Sequence, residues 1–326
     1  MMNNILKNHL CKLSPGSMIV GKWHKHFYKI IKPLGKGANG VVYLAESSRG
    51  LVAVKLSDNS TAIISEVNVL KRFSKVQGVA LGPSLLDVDD WLDSSTNNLF
   101  PFYVMEYIKG DDFLSFIQKR GKEWIVILLI QLLSDLQKLH STGWVFGDLK
   151  PDNLLVTGPV PKIRMLDVGG TTLQGRAIKE FTEFYDRGYW GLGSRKAEPS
   201  YDLFAVAMIM INACYPKRFE KKGNGREQLL KMIAADKTLR AYRSVLIRAI
   251  DGKYRNASEM RQDLVSLVGG YYKNTPKGRN NLHSKRKIQV KTRSKPAKKS
   301  GGILETLLIV MFLLFGYLLY LYGQLF

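Results

Sequence analysis

Between Phe146 and Asn153 the chain reads F-G-D-L-K-P-D-N. The octet sets Asp148, Lys150 and Asn153 within one tight loop, so that a carboxylate, an ammonium and an amide lie close together. Asp148 can accept a hydroxyl proton, Lys150 can neutralise charge on a phosphoryl group in transit, and Asn153 can hold a metal ion.

The rest of the chain supplies parts that suit this chemistry, in a fixed order. Upstream, G-K-G-A-N-G-V-V places glycines at Gly35, Gly37 and Gly40, with Val42 two residues after the last. Such glycines alone mark an ordinary turn or a dinucleotide site equally well. A dinucleotide site requires a helix directly after them. Here a β-rich run, Val41 to Leu44, is followed by a turn at Ser47 to Gly50 and then by L-V-A-V-K. The pattern predicts strand, turn, strand, with Lys55 at the end of the second strand. Val67, Leu70 and Phe73 recur at helical spacing over Ile63 to Phe73, and that helix carries Glu66, the carboxylate expected to pair with Lys55. Downstream, R-M-L-D-V-G-G offers Asp167 as a second metal ligand, with Gly169 allowing the backbone turn that aims it.

Together these motifs resemble the protein kinases, over about residues 27 to 265. The resemblance is to the bacterial Hanks-type serine/threonine kinases, and within them to the membrane-anchored sporulation kinases of Bacillus. It implies an α+β, two-lobed fold: a small antiparallel β lobe with one helix (about 20–107) and a larger helical lobe (about 108–270). It implies ATP with Mg2+ (or Mn2+), and protein substrates with serine or threonine. Asp148, Lys150, Lys55 and Glu66 would be catalytic, and Asn153 and Asp167 would hold the metal. Gly35, Gly37 and Gly40 would cover the phosphates. In F-Y-V-M-E-Y-I-K-G-D-D, Met105 would be the gatekeeper, the Glu106 carbonyl and Ile108 amide would meet adenine, and Asp112 would meet ribose. Val42, Ala53 and Leu155 would wall an apolar cleft. Asp202, near the start of an apolar helix, would tie down the catalytic loop, and Arg255 would be a buried arginine. His140 reads as a packed helix-end residue.

The chain also departs from the family. Phe146 and Gly147 stand where His-Arg is usual, so a cation that receives a phosphorylated loop is missing and control by that route is not expected. Val168 replaces the phenylalanine of Asp-Phe-Gly, and bulk at Phe146 compensates in a rebuilt apolar column. Tyr189, Trp190 and Gly191 occupy the place of Ala-Pro-Glu, which makes substrate docking the least transferable part. Thr171, Thr172 and Thr182 are candidate phosphorylation sites. Two other classes remain open: a nucleotide-binding pseudokinase scaffold, which Gly147 and Val168 would suit, and a small-molecule phosphotransferase. Lys150 and the intact set Lys55, Asp148, Asn153 and Asp167 argue for transfer to protein.

The end of the chain is a different polymer. Of the net charge of +22, eleven basic residues and no acid fall between Tyr271 and Ser300. This stretch cannot bury itself and reads as a disordered linker, residues 271–302. It is open to three readings: a solvated tether, a patch for anionic membrane lipids, or an arm for non-specific DNA binding through Lys285, Arg286, Lys287, Lys291, Arg293, Lys295, Lys298 and Lys299. The spread of charge over the whole stretch, mixed with Asn, Ser, Thr and Gln, favours DNA. Ile303 to Tyr322 gives twenty mostly apolar residues, enough at about 1.5 Å per residue to cross a bilayer. The expectation is a single-pass C-terminal anchor, residues 303–326, with the domain of residues 1–270 in the cytoplasm by the positive-inside rule. Self-association for autophosphorylation is a further expectation. Two cysteines, Cys11 and Cys214, argue against a disulfide scaffold, and no secretory signal is expected at the N-terminus.

Overall fold

The computed structural model describes residues 13–37, 39–74 and 81–274. Six antiparallel strands form the first lobe: β1 (Met18–Val20), β2 (Phe27–Gly37), β3 (Gly40–Ser47), β4 (Gly50–Leu56), β5 (Leu85–Asp93) and β6 (Asn98–Glu106), in the order β1-β2-β3-β4-β6-β5. Alternation along these strands turns Tyr43, Val54, Leu56, Phe100, Phe102 and Val104 inward into one apolar cluster. Two irregularities in the β2–β3 register, at Ile30/Lys32 and Pro33/Gly35, bend the hairpin that carries the glycines. Between β4 and β5 runs α1 (Ser60–Phe73), capped by Asn59, whose side chain accepts from the Ala62 amide. The cap explains the short preamble after Lys55.

The second lobe is mainly helical. After β7 (Asp111–Asp112) come α2 (Phe113–Arg120) and α3 (Glu123–Ser141), and later α4 (Pro199–Cys214), α5 (Gly225–Ala235), α6 (Lys237–Ala241), α7 (Arg243–Ile250) and α8 (Ala257–Asn274). Short strands β8 (Trp144–Val145), β9 (Leu154–Thr157), β10 (Lys162–Met165) and β11 (Thr172–Leu173) pair as β10-β9-β7 and β11-β8. Apolar residues surround α4 on every side, and each one from Tyr201 to Cys214 is buried, so the other helices pack around it. Pro199 at its first turn starts it. Phe146 and Val168 are both buried in the large cluster that also takes in α1 and α4.

Three expectations are corrected here. Arg255 is not buried: its side chain is 87% exposed and pairs with Glu259 one helical turn on. It projects into solvent just before α8, where Glu259 in the first turn also accepts from its backbone amide. The buried arginine is Arg187, which donates to the Ser194 carbonyl at 2.6 Å and the Ser200 hydroxyl at 2.8 Å, with Glu198 at 3.6 Å. Thr171 and Thr172 are buried, Thr172 within a strand pair opposite Val145, and so are not accessible acceptors.

The stretch expected to read Ala-Pro-Glu is rebuilt around Asp186. This buried carboxylate accepts from the Gly188 and Tyr189 amides, the Tyr201 hydroxyl and Arg195. Trp190, 1% exposed, donates to the Phe184 carbonyl and packs edge-on against Phe184 and Phe219. The two arginines therefore separate in a melt. Arg187→Ala, which strands buried acceptors, is expected to cost about 1–3 kcal/mol in urea unfolding, and Arg255→Ala less than about 0.5 kcal/mol. Equal losses would overturn the assignment.

Candidate active site

Sheet register assembles one wall of the site. Gly35 pairs with Val42, Val42 with Lys55, and Lys55 with Tyr103, so four strands bring these residues into one row. Ala53 pairs with Met105, placing the expected cleft wall beside the expected gatekeeper. At Gly40, φ is +136° and a Cβ would sit 2.1 Å from the Leu56 carbonyl oxygen, so only glycine lets β3 approach β4 there. Added Cβ atoms at Gly35 and Gly37 would meet nothing within 4 Å among the described residues, which leaves the backbone of this hairpin open to a close ligand.

Lys55 is buried, and its Nζ lies 2.6 Å from Glu66 Oε2 and 3.7 Å from Asp167 Oδ1. Burial favours the neutral amine, but the carboxylates of Asp167 and Glu66 outweigh it and hold the ammonium above its ordinary pKa. Tyr103 donates to the same Glu66 oxygen at 2.8 Å, and its own burial keeps the phenol protonated. Tyr103 had no signal in the sequence, because only the β4–β6 register sets it against Lys55. Glu66 Oε1 is buried without a partner among the described residues. The Asp167 carboxylate is half exposed and accepts from the Gly169 amide at 2.9 Å.

The loop itself is built around Asp148. Lys150 Nζ reaches Asp148 Oδ2 at 2.5 Å, and the Thr182 hydroxyl donates to Asp148 Oδ1 at 3.0 Å while accepting from Lys150 at 3.1 Å. Asn153 Nδ2 donates to the Asp148 carbonyl at 2.9 Å, an arrangement set by the 3-10 turn Pro151–Asn153. Gly147 adopts φ of +84°, and a Cβ there would lie 2.6 Å from the Gly170 carbonyl oxygen. A side chain at this position would force the loop away from the turn after Asp167, which is a physical reason for glycine where arginine is usual.

At the strand between the lobes, Ile108 is buried and Glu106 pairs with Val52. The Glu106 side chain carries a contact not foreseen: Arg164 on β10 donates to both of its oxygens, at 3.2 and 2.9 Å. Burial raises the Glu106 carboxyl, but Arg164 outweighs it and holds the group below the ordinary carboxylate range. Asp112 pairs with Leu155 across β7 and β9 and caps α2 by accepting from the Ser115 amide at 2.9 Å. Ribose and adenine contacts expected of these two residues thus fall on adjacent strands. Residues 271–274, expected to begin a disordered linker, instead continue α8 to Asn274, because the helix started at Ala257 runs on through them. The rest of the expected linker, the residues Lys285 to Lys299 expected to bind DNA, and the expected anchor lie outside the described residues.

Asp202, on α4, holds the loop from below. It is fully buried and accepts from the Phe146 amide at 2.8 Å and the Gly147 amide at 2.9 Å, with His140 Nε2 at 2.8 Å. Asp202→Asn keeps the volume but turns an NH2 toward one of these donors. We expect it to destabilise by at least about 2 kcal/mol and to speed exchange of the Phe146 and Gly147 amide protons; unchanged exchange would show that the loop is held elsewhere.

Comparison with known proteins agrees with this geometry. Residues 28–289 match the protein kinase domain. The chain is 52% identical over 332 residues to serine/threonine-protein kinase YabT of Bacillus subtilis (strain 168), covering 98% of each chain. Sporulation protein kinase mde3 of Schizosaccharomyces pombe is 31% identical over 62% of this chain and 40% of its own length. Cyclin-dependent kinase G1 of Arabidopsis thaliana is 24% identical over 68% and 39% respectively. The domain match takes in both the glycine hairpin and the Asp148 loop, and the likeness to the bacterial kinase runs the length of both chains. The chain therefore belongs to the protein kinase family and is a serine/threonine protein kinase.

Proposed function

We propose that this kinase transfers phosphate through Asp148, Lys150, Lys55 and Glu66, and that the hydroxyl already seated on Asp148 marks where a substrate hydroxyl binds. The observation that carries the reading is the Thr182 hydroxyl donating to Asp148 Oδ1 at 3.0 Å beside Lys150. A seryl or threonyl hydroxyl in the same place gives its proton to the Asp148 carboxylate as its oxygen attacks. Lys150 offsets negative charge gathering at that point. Lys55, oriented by Glu66 and Tyr103, faces the ligand side of the glycine hairpin as a fixed cation. ATP, with a divalent ion, would supply the phosphoryl group, its bond from the γ-phosphorus to the bridging oxygen breaking so that ADP leaves.

The residues fit that ligand. Asp167 offers a half-exposed carboxylate, Asn153 an amide oxygen, and both are hard oxygen donors suited to Mg2+ or Mn2+. Val42, Ala53, Met105, Ile108 and Leu155 would hold adenine and Asp112 the ribose, with the open backbone of Gly35 and Gly37 over the phosphates. Purified full-length protein with Mg2+ and labelled ATP tests the assignment. Asp148→Asn and Lys55→Ala are each expected to lower autophosphorylation by at least about 1,000-fold while the circular dichroism spectrum stays unchanged. Wild-type protein that binds ATP and labels neither itself nor a generic acceptor would instead be a scaffold.

We propose further that the enzyme is anchored in the cell membrane by residues 303–322 with its catalytic domain in the cytoplasm, and acts during sporulation under stimulation by DNA. Support comes from the twenty-residue apolar run, the eleven basic residues before it, and the likeness to the Bacillus subtilis kinase. Among the described residues no helix is long and apolar enough to cross a membrane. Several kinases on one duplex, each held by its basic linker, would phosphorylate one another at raised effective concentration. Anionic lipid would compete for the same lysines. Replacing the eleven basic residues by glutamine is expected to abolish DNA stimulation and spare basal turnover. If about six phosphates are engaged, log affinity for duplex DNA should fall with log salt at a slope of about −5. Undiminished DNA binding by the glutamine variant would place the site in the kinase domain.

A further inference from the structure

The six-stranded sheet curls until its two ends meet. Gly21, just after β1, forms a bridge with Trp91 on β5, and the Lys22 amide donates to the Asp90 carbonyl at 2.7 Å. On this seam the turn Gly21–His26 is tightly built. Lys25 adopts the left-handed conformation at φ of 60°, Gly21 donates to the His26 carbonyl, and the Trp23 and His24 amides both donate to the buried Asp89 carboxylate. A Cβ on Gly21 would fall 2.3 Å from that carboxylate, so the turn has little room to shift.

The turn brings two imidazoles onto one carboxylate. His24 Nδ1 lies 2.7 Å from Asp87 Oδ1 and His26 Nδ1 lies 2.8 Å from Asp87 Oδ2. Ligand atoms of the three residues lie within 4.8 Å of one another. Buried Tyr28 donates to Asp87 Oδ2 at 2.6 Å, and the Val88 amide donates to Oδ1 at 2.8 Å. Asp87 is thus a carboxylate oriented on both oxygens. Asp89 adds further negative charge, 3.8 Å from His24 Nδ1.

We propose that His24, His26 and Asp87 form a binding site for a divalent transition metal of the Zn2+ class, which staples the first strand of the sheet to the last. Two imidazoles and one carboxylate are a donor set that Zn2+, Co2+ and Ni2+ accept readily and Mg2+ does not favour. With metal–ligand bonds of about 2.0–2.2 Å, tetrahedral ligation sets neighbouring ligand atoms roughly 3.3 Å apart. The present separations of 2.7 and 2.8 Å need to open by roughly half an ångström. Both rings are about half exposed and free to make that shift. Each ring must carry its proton on Nε2 and leave Nδ1 bare, which exposure also permits. Tyr28 then acts as a positioning residue, because its hydroxyl orients the ligating carboxylate. Water would complete the coordination on the solvent side.

Co2+ absorption spectroscopy and thermal melts on chelator-treated full-length protein test this, with Mg2+ in excess to fill oxygen-ligand sites. One Co2+ per chain is expected, with visible absorption showing nitrogen ligands, displaced by Zn2+. Zn2+ should raise the melting temperature. The double variant His24→Gln/His26→Gln should lose both signals and retain autophosphorylation in Mg2+ alone, which shows that it folds. Tyr28→Phe should weaken binding by about 10-fold while keeping the spectrum. Co2+ absorption that survives in the double variant would assign the metal to His9, His140 or His283 and overturn the proposal. A wild-type protein whose melt and spectrum ignore Zn2+ and Co2+ would reduce the cluster to hydrogen bonds across the seam.

Discussion

A fully buried carboxylate, Asp202, organises the catalytic lobe. Leaving an ionised group in an apolar core without partners would cost several kcal/mol, so its donors are in effect compulsory. Those donors are the backbone amides of Phe146 and Gly147 and the ring of His140. The start of the most buried helix is thereby joined to the end of α3 and to the loop that carries Asp148. The loop is thereby tied to the core at Phe146 and Gly147.

The first lobe's part of the site is held by a different logic. Lys55 and Glu66 come from a strand and a helix, and their ion pair is buried at 2.6 Å. Such a pair adds little net stability compared with apolar residues of the same size, since desolvation offsets most of the attraction. Its value is geometric: the cation is fixed and cannot fold back into solvent. Tyr103 reinforces this by occupying the same Glu66 oxygen. Asp167, half exposed and 3.7 Å from Lys55, is the one carboxylate of this group left free to turn to a ligand.

Departures from the family pattern become intelligible at the same level. Gly147 and Gly170 allow two backbones to approach where a Cβ would collide, so the loss of the usual arginine accompanies tighter packing of the catalytic loop on the turn after Asp167. The missing Ala-Pro-Glu is replaced by two separate hubs, Asp186 and Arg187, which fold the segment before α4 on itself. Arg164, reaching from β10 to Glu106, links the strand before Asp167 to the strand between the lobes. The strands that carry the residues proposed for nucleotide and metal are thus joined by this ion pair.

The order and spacing of the glycines, Lys55, Glu66, the Asp148 loop, Asp167 and Asp202 were legible in the sequence. Each is a local motif whose chemistry depends on residues a few positions apart, and the chain itself guarantees that closeness. Helical periodicity likewise placed Glu66, and the resemblance to the kinases placed the apolar helix of Asp202. Arg255 could not be judged this way, because whether a guanidinium is buried depends on what packs over it, and Arg187 won that place through contacts with a segment folded back on itself. Tyr103 joined the site through strand register, and Thr171 and Thr172 became inaccessible through pairing and packing that the letters do not carry. His24 and His26 each lie more than sixty residues from Asp87 along the chain. Only the curl of a six-stranded sheet, which brings its first and last strands together, sets two imidazoles against one carboxylate.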